Sequence, residues 1–252
     1  MPDLDLERLN RPASLTELAL RELRNAIIDG RLKLGDRFSE ARLSKMLGIS
    51  KTPVREALQE LRREGLVQID PQRGTTIFRI ENSEVDQITE FRQILEITAA
   101  RRILAGDRTP TCRKLRAIVE AMRKALERKE IMAYRLLDAE LHQVLIDDCG
   151  NNYIVNAYGL ISAKVGALRT RAHDDREVVD RSIGMHSLIV EKMEAGDTET
   201  FCRLLAQHIQ NAGRDYRSWL SRRQAEEGAT DDAPLPGQET GSDTIETNAP
   251  GT

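Results

Sequence analysis

The stretch Ser39–Glu64, SEARLSKMLGISKTPVREALQELRRE, constrains the fold more than any other part of the chain. Apolar residues recur at helical spacing on both sides of Gly48, which predicts two helices joined by a tight turn. Gly48 can take the positive φ that ends the first helix, and Pro53 suits the first turn of the second. The second helix begins with Lys51 and Arg55, as does a helix whose N-terminal turn enters the major groove of DNA.

The periodicity of the sequence changes directly after this stretch. Residues 66–69 and 75–80 alternate as strands do, and the segment PQRG at 71–74 is typical of a turn. A hairpin directly after a recognition helix is a wing, whose tip would bring Arg73 to a phosphate or the minor groove, while Gly74 lets the backbone approach closely. The alternative is an ordinary helical hairpin with a solvated basic surface, followed by a solvated turn.

Charge is unevenly distributed along the chain, whose formal net charge is −3. Residues 14–80 carry 13 Lys and Arg against 9 Asp and Glu, whereas residues 224–252 carry 7 acidic residues and no basic one. The acidic end therefore masks a basic N-terminal third. Phosphate binding needs only a local surplus of positive charge, so the net charge does not exclude DNA binding.

The remaining sequence has helical periodicity. It predicts one helix over 15–29 and, after a junction at 81–83, a series of helices up to Arg222 whose short connections favour an antiparallel bundle. We therefore expect a mainly α protein with a flexible arm at 1–13, a winged helix-turn-helix domain at 14–80, an antiparallel all-helical bundle at 84–222 and an acidic, disordered tail at 223–252.

Several features indicate the cellular compartment. No apolar run approaches the roughly 18 residues of a membrane span, and the polar N-terminus resembles neither a signal nor a transit peptide. The three cysteines are isolated and odd in number, which favours reduced thiols. These features predict a cytoplasmic protein with no membrane partner.

Three of the four histidines fall on apolar faces of predicted helices. Asp138 and His142, four residues apart, project from one face, and His186 and His208 lie on apolar faces of two other helices. Buried carboxylates and imidazoles need partners, and three nitrogens with one oxygen suit zinc, nickel, manganese or iron. The alternative is a set of separately hydrogen-bonded core histidines. His173 lies among charged residues and is expected to be solvated.

Arg92 also falls on the apolar face of its helix. An inward guanidinium suits the carboxylate of a ligand, which it can bind through a bidentate pair. An internal salt bridge to Glu96 or Asp138 would explain the same position equally well, so both interpretations stay open.

The sequence resembles the GntR family of bacterial transcription regulators, of the FadR type with an FCD effector domain. The resemblance covers roughly residues 14–222. The residues that carry it are GDRFSE at 35–40, LGISKTPVREAL at 47–58, EGLV at 64–67, Arg73-Gly74, Asp138, His142, Gly150-Asn151, His186 and His208.

The resemblance implies a homodimeric regulator, not an enzyme, that binds a palindromic or pseudo-palindromic operator, as a repressor in the preferred interpretation. Relatives often have an arginine where Ala41 stands, which makes Arg42 the candidate substitute. Lys51 also stands where arginine is frequent. Lysine lacks the planar guanidinium that forms two hydrogen bonds with guanine, so a relaxed base preference is predicted at this position. The other positions that match DNA contacts are Ser50, Thr52, Arg55, Arg73 and Gly74.

In similar FCD domains the metal ligands match Asp138, His142, His186 and His208. The resemblance therefore implies a divalent ion, zinc first, with nickel, manganese or iron as alternatives. It also implies a small organic or sugar acid as effector, whose carboxylate would bind the ion and Arg92. Two other functions would use the same cluster: a metal sensor, in which the ion is the signal, and a metal-dependent hydrolase, for which no HExxH motif or general base can be assigned.

Overall fold

The computed structural model describes residues 13–231. Nearly all of the predicted arm, 1–13, lies outside these residues, as does the part of the predicted tail after residue 231. A winged helix-turn-helix precedes a helical bundle, which confirms the predicted fold class. The elements are α1 (Leu15–Ile28), β1 (Arg37–Phe38), α2 (Glu40–Leu47), α3 (Lys51–Arg63), β2 (Val67–Asp70), β3 (Gly74–Ile77), α4 (Asn82–Leu104), α5 (Thr109–Glu127), α6 (Ile131–Asp147), α7 (Asn152–Ala172), α8 (Arg176–Ala195) and α9 (Thr198–Asp231).

Helix α1 begins with a capping box. The side chain of Ser14 accepts a hydrogen bond from the Glu17 N–H, and the Glu17 carboxylate accepts one from the Ser14 N–H. Two of the N–H groups that a helix start leaves unpaired are thus satisfied. The buried face of α1, which includes Leu23 and Ile27, packs against α3 and α7.

The turn between α2 and α3 forms where the sequence predicts it. Gly48 ends α2 in the left-handed region, with φ of 67°, and α3 begins three residues later. Val54, Leu58 and Leu61 line the buried face of α3, so the opposite face and the N-terminal turn remain in solvent. This packing fixes which side chains of α3 can reach DNA.

The wing is part of a three-stranded antiparallel sheet in the order β1-β3-β2. The sequence analysis predicted the β2–β3 hairpin but no strand at residues 37–38, where β1 pairs with β3 and Arg37 faces Thr76. Gly74, with φ of 86°, is required here, because a Cβ at this position would lie 2.9 Å from the carbonyl oxygen of Phe38.

The helical domain buries its core between α4, α6, α7 and α9 on one side and α5 and α8 on the other. Its most buried apolar side chains include Leu115, Met122, Leu141, Leu145 and Phe201. Within the described part of the chain, no helix combines the length and the apolar composition needed to cross a membrane.

Helix α9 is longer than predicted. The sequence predicted a helix that ends at Arg222 and a disordered tail from 223, whereas α9 continues to Asp231. Two causes account for the difference: residues 224–227 are good helix formers, and Arg223 donates a hydrogen bond to the carbonyl oxygen of Leu34 at 2.6 Å. The acidic composition of this segment therefore did not predict its structure.

Candidate functional site

The first candidate surface is the N-terminal turn of α3. Ser50, Lys51, Thr52 and Arg55 are all exposed. Ser50 is the N-cap residue of α3, but among the described residues its side chain makes no capping hydrogen bond. Its hydroxyl and the N–H groups at the start of α3 thus remain available to a phosphate oxygen.

Arg55 does not extend freely into solvent. Its Nε lies 3.1 Å from both carboxylate oxygens of Glu40, and its Nη2 lies 2.9 Å from Oε2. The Arg55 guanidinium lowers the pKa of Glu40, so the pair is charged at neutral pH. Glu40, at the start of α2, therefore orients the arginine that the sequence predicts to read DNA.

The other predicted DNA contacts lie around this turn. Arg42 is exposed and its guanidinium lies 5.2 Å from the ring centroid of Phe38. Arg73 is exposed at the tip of the wing, where its N–H donates to the carboxylate of Asp70 at 3.0 Å. The side chain of Asp70 thus shapes the turn that presents Arg73 and Gly74.

The second candidate site lies inside the helical domain, where the structure brings three histidines together. The Nε2 atom of His208 lies 3.1 Å from Nε2 of His186 and 3.2 Å from Nε2 of His142. All three side chains are buried, and they come from α6, α8 and α9. Such a cluster of convergent imidazole nitrogens could hold a metal ion.

Asp138, the fourth predicted ligand, lies at the edge of this cluster. Its Oδ1 is 3.6 Å from Nε2 of His186, and its Oδ2 forms an ion pair with Nε of Arg169 at 2.5 Å. Burial opposes ionisation of Asp138, but Arg169 and His186 outweigh it and hold the pKa well below the usual range. Asp138 is thus a carboxylate that faces both the histidines and an arginine.

Behind the histidines lies an ion pair that the sequence suggested only as an alternative role for Arg92. Nε of Arg92 donates to Glu96 at 2.6 Å, and Nδ1 of His142 lies 2.8 Å from the other Glu96 oxygen. Burial raises the pKa of Glu96, but Arg92 and His142 outweigh it and lower the pKa to about 2. Tyr158 also donates to this carboxylate, at 3.2 Å.

The histidines are held in their neutral form. Burial lowers the pKa of His142, and it lowers the pKa of His186 to about 3. Since the Glu96 carboxylate can only accept, Nδ1 of His142 carries the proton and Nε2 presents a lone pair to the cluster. Neutral imidazoles with free lone pairs are the form that binds metals.

A cavity of about 20 Å³ adjoins the cluster, which is room for about one water molecule. The residues that line it include Arg92, Asp138, Arg169, His173, His208 and Tyr216. The Nη2 atoms of Arg92 and Arg169 are buried without a hydrogen-bond partner among the described residues. Two guanidinium groups with unused donors are typical of a site for an anion.

His173 contradicts the prediction of a solvated side chain. It is buried, and its ring centroid lies 5.4 Å from that of Tyr134. The neighbouring charged residues misled the prediction, because His173 caps the C-terminus of α7 and its ring turns inward.

Sequence reasoning did not assign Glu96, Arg169 and His173 to the site. The spacing of Arg92 and Glu96, four residues apart on one helix, could have placed the Glu96 carboxylate beside Arg92 on the inward face of α4, but it could not have identified the contact with His142 on α6. Arg169 has no such local signal, because its partner Asp138 lies on a different helix.

Comparisons with known proteins agree with this architecture. The model of the family described as "Bacterial regulatory proteins, gntR family" matches residues 15–77, and that of the FCD domain matches residues 87–211. The chain is 27% identical over 210 residues to the HTH-type transcriptional repressor RspR of Escherichia coli, covering 83% of this chain and 92% of that protein. It is 32% identical over 137 residues to an uncharacterised HTH-type transcriptional regulator of Agrobacterium vitis, covering 53% of this chain and 80% of that protein.

A solved structure shows the same fold. Escherichia coli McbR/YncC superposes with a TM-score of 0.71 at 21% identity, over 82% of this chain and all of that one. The matching families and relatives are transcription regulators, so the hydrolase interpretation of the histidine cluster is dropped. The chain is a DNA-binding transcription regulator that belongs to the gntR family of bacterial regulatory proteins and carries an FCD domain.

Proposed function

We propose that the protein is a homodimeric repressor of the FadR subfamily whose helical domain binds a divalent metal ion and a small carboxylate effector. The observation that carries this proposal is the cluster of three imidazole Nε2 atoms, 3.1 and 3.2 Å apart, beside two guanidinium groups with unused donors. The winged helix-turn-helix would bind the operator, and the ligands would control that binding.

The proton count of the histidine cluster supports a metal. Nε2 of His142 carries a lone pair and no proton. A proton on Nε2 of His208 can be donated to His142 or to His186, but not to both, so the imidazoles alone do not satisfy one another. Two nitrogen ligands bound to zinc at about 2.1 Å lie about 3.0 Å apart at a coordination angle of 90° and about 3.4 Å apart at the tetrahedral angle. A divalent ion held by His142, His186 and His208, with Asp138 as fourth ligand, would satisfy every one of these nitrogens; zinc is the first candidate, and nickel, manganese or iron suit the same donors.

The two arginines support an anionic effector. A carboxylate in the cavity would accept from Nη2 of Arg92 and of Arg169, and it could complete the coordination of the ion. Since Arg92 also holds Glu96, it would serve both roles that the sequence left open. Small organic or sugar acids carry the required group.

The proposed operator contacts are Arg42, Ser50, Lys51, Thr52, Arg55, Arg73 and Gly74. A dimer would present two copies of this surface, which suits a palindromic or pseudo-palindromic site. Exposed apolar side chains on the adjacent helices α4 and α7, namely Ile94, Tyr153 and Leu160, support pairing of two helical domains. Effector binding would change the spacing of the two winged domains and so the affinity for two half-sites.

A second candidate function, a metal sensor, is favoured by the size of the cavity. At about 20 Å³ it accommodates about one water molecule, and a larger acid would fit only if the surrounding side chains moved. In this case the metal alone would change operator affinity, and it would exchange readily with chelators.

One combined experiment tests the proposal. Elemental analysis and native mass spectrometry of the purified full chain are expected to give about one metal ion per chain and a dimer. Binding to an operator selected in vitro is then measured at fixed salt with chelator, with Zn²⁺, and with Zn²⁺ plus citrate or D-gluconate. An effect of Zn²⁺ alone supports the sensor, an effect of an added acid supports the effector model, and a metal-free monomer that ignores every addition overturns both.

A further inference from the structure

Helix α7 contacts both functional regions of the molecule. On one side, Tyr158 donates to Glu96 and Arg169 pairs with Asp138, both at the buried site. On the other side, α7 packs closely against α1: a Cβ at Gly166 would lie 3.3 Å from the side chain of Ile28. The absence of a side chain at Gly166 thus lets this helix approach the DNA-binding domain.

Arg171 forms the polar part of this contact. Its guanidinium donates to the carbonyl oxygens of Ile27 and Leu32, each at 3.3 Å, and to that of Ala167 at 2.7 Å. The last carbonyls of a helix carry partial negative charge and need donors, and α1 has no basic residue in its own last turn. Arg171 therefore supplies the cation that the C-terminus of α1 lacks.

The surroundings hold Arg171 in place. It is buried, and its guanidinium lies 5.9 Å from the ring centroid of Trp219, which Arg223 approaches at 5.7 Å. Arg223 also donates to the carbonyl oxygen of Leu34, so a second arginine contacts the segment that follows α1 in the DNA-binding domain. Burial lowers the pKa of Arg171 to about 10, which leaves the group charged at neutral pH.

Arg169 and Arg171 are two residues apart on one helix. Side chains at this spacing point about 200° apart, that is, to opposite sides. One turn of α7 thus presents one arginine to the cavity and the other to α1, and His173, which caps the helix, also lines the cavity. Because backbone hydrogen bonds make a helical turn rigid, a movement of the α7 backbone at Arg169 also moves Arg171.

We propose that the last turn of α7, residues 169–173, transmits ligand binding at the buried site to the DNA-binding domain by releasing the hydrogen bonds from Arg171 to α1. The trigger rests on the proposed function, whereas the connection itself does not. An ion on Asp138 or an anion on Arg169 changes the ion pair between them and moves this turn. The end of α1 then loses its cation, and the winged domain is free to change its position.

A first experiment needs no ligand. Hydrogen exchange of the full chain is followed by mass spectrometry in chelator, in peptides that cover residues 26–34. We expect Arg171→Gln to accelerate exchange there at least about fivefold, and Arg169→Gln, although it does not touch this segment, at least about threefold. Arg171→Lys keeps the charge but loses the planar guanidinium with its several donors, so its exchange rate should be intermediate. Arg176→Gln replaces an exposed arginine at the start of α8 and should exchange at the wild-type rate.

If Arg169→Gln accelerates exchange around residue 138 but leaves residues 26–34 at the wild-type rate, the connection does not exist. A second measurement on the unmodified chain protects this test against misfolded variants: Zn²⁺ should slow exchange at residues 138–145 and accelerate it at 26–34. If Zn²⁺ slows hydrogen exchange at residues 138–145 but does not change it at 26–34, the metal site is supported and the proposed connection is refuted. No change at 138–145 refutes the metal site, and acceleration by Arg169→Gln still supports the connection.

Discussion

The surface around α3 and the buried site of the helical domain use charged residues in opposite ways. At the surface, the Arg55 side chain is 62% exposed, and its partner Glu40 comes from the neighbouring helix. In the helical domain, the Arg92–Glu96 and Arg169–Asp138 pairs are at most 6% exposed, and the groups come from α4, α6 and α7.

This difference determines what each region can exchange. An exposed ion pair contributes little to stability, so Arg55 can leave Glu40 for a base or phosphate at small cost. A buried charge that loses its partner is strongly destabilising, so a ligand in the helical domain must replace the contacts that it breaks. The surface is thus suited to reversible contact with DNA, and the interior to a ligand that supplies charges of its own.

The largest effect should follow from removing the central imidazole of the cluster. Because Nε2 of His208 lies near both other imidazoles, His208→Ala should lower zinc affinity more than about 100-fold. Calorimetric titration of the chelator-treated chain with Zn²⁺ measures this loss. His173→Asn is the matched control, since His173 lines the cavity but is not one of the three convergent imidazoles; equal losses in both variants would show that the cluster is not the site.

A smaller effect is expected from the carboxylate behind the cluster. Glu96 fixes the tautomer of His142, and Glu96→Gln should therefore lower zinc affinity about 10- to 100-fold. The same titration measures it, with Glu90→Gln, an exposed residue of the same helix, as the control. Wild-type affinity in Glu96→Gln would mean that the ion pair serves packing of the bundle alone.

The sequence predicted the surface region better than the interior. The recognition helix, its turn at Gly48 and the wing depend on contiguous residues, and local patterns are sufficient to identify them. The strand β1 was missed because its two residues, Arg37 and Phe38, form a strand only through pairing with β3. The end of α9 was missed because composition does not reveal the contact of Arg223 with Leu34.

In the interior, the period of each helix predicted which histidines face inward, but it did not predict their neighbours. His142, His186 and His208 could be found because an imidazole on an apolar face is unusual. Arg169 could not, since its sequence neighbours give no sign that the end of α7 turns toward Asp138. Positions within one helix follow from periodicity, whereas partners on different helices depend on how the helices pack.

The smallest effect, and the one that best tests the surface, concerns Arg55. Arg55→Ala should weaken operator binding by roughly 1–3 kcal/mol if the guanidinium reads a base, and it should relax the preference for that base pair. Arg63→Ala, at the opposite end of the same helix, is the control and should change affinity little. Fluorescence anisotropy at fixed salt, on the operator and on its single-base variants, measures both quantities.

An equal loss of affinity on every operator variant would instead identify Arg55 as a phosphate contact. In that case the slope of log binding constant against log salt concentration should fall in magnitude by about one. Loss of a base contact would leave this slope unchanged. The ion pair with Glu40 is compatible with either role, because it orients the guanidinium without burying it. Specificity would then depend on Lys51, Thr52 and the wing, and the exposed arginine would contribute affinity alone.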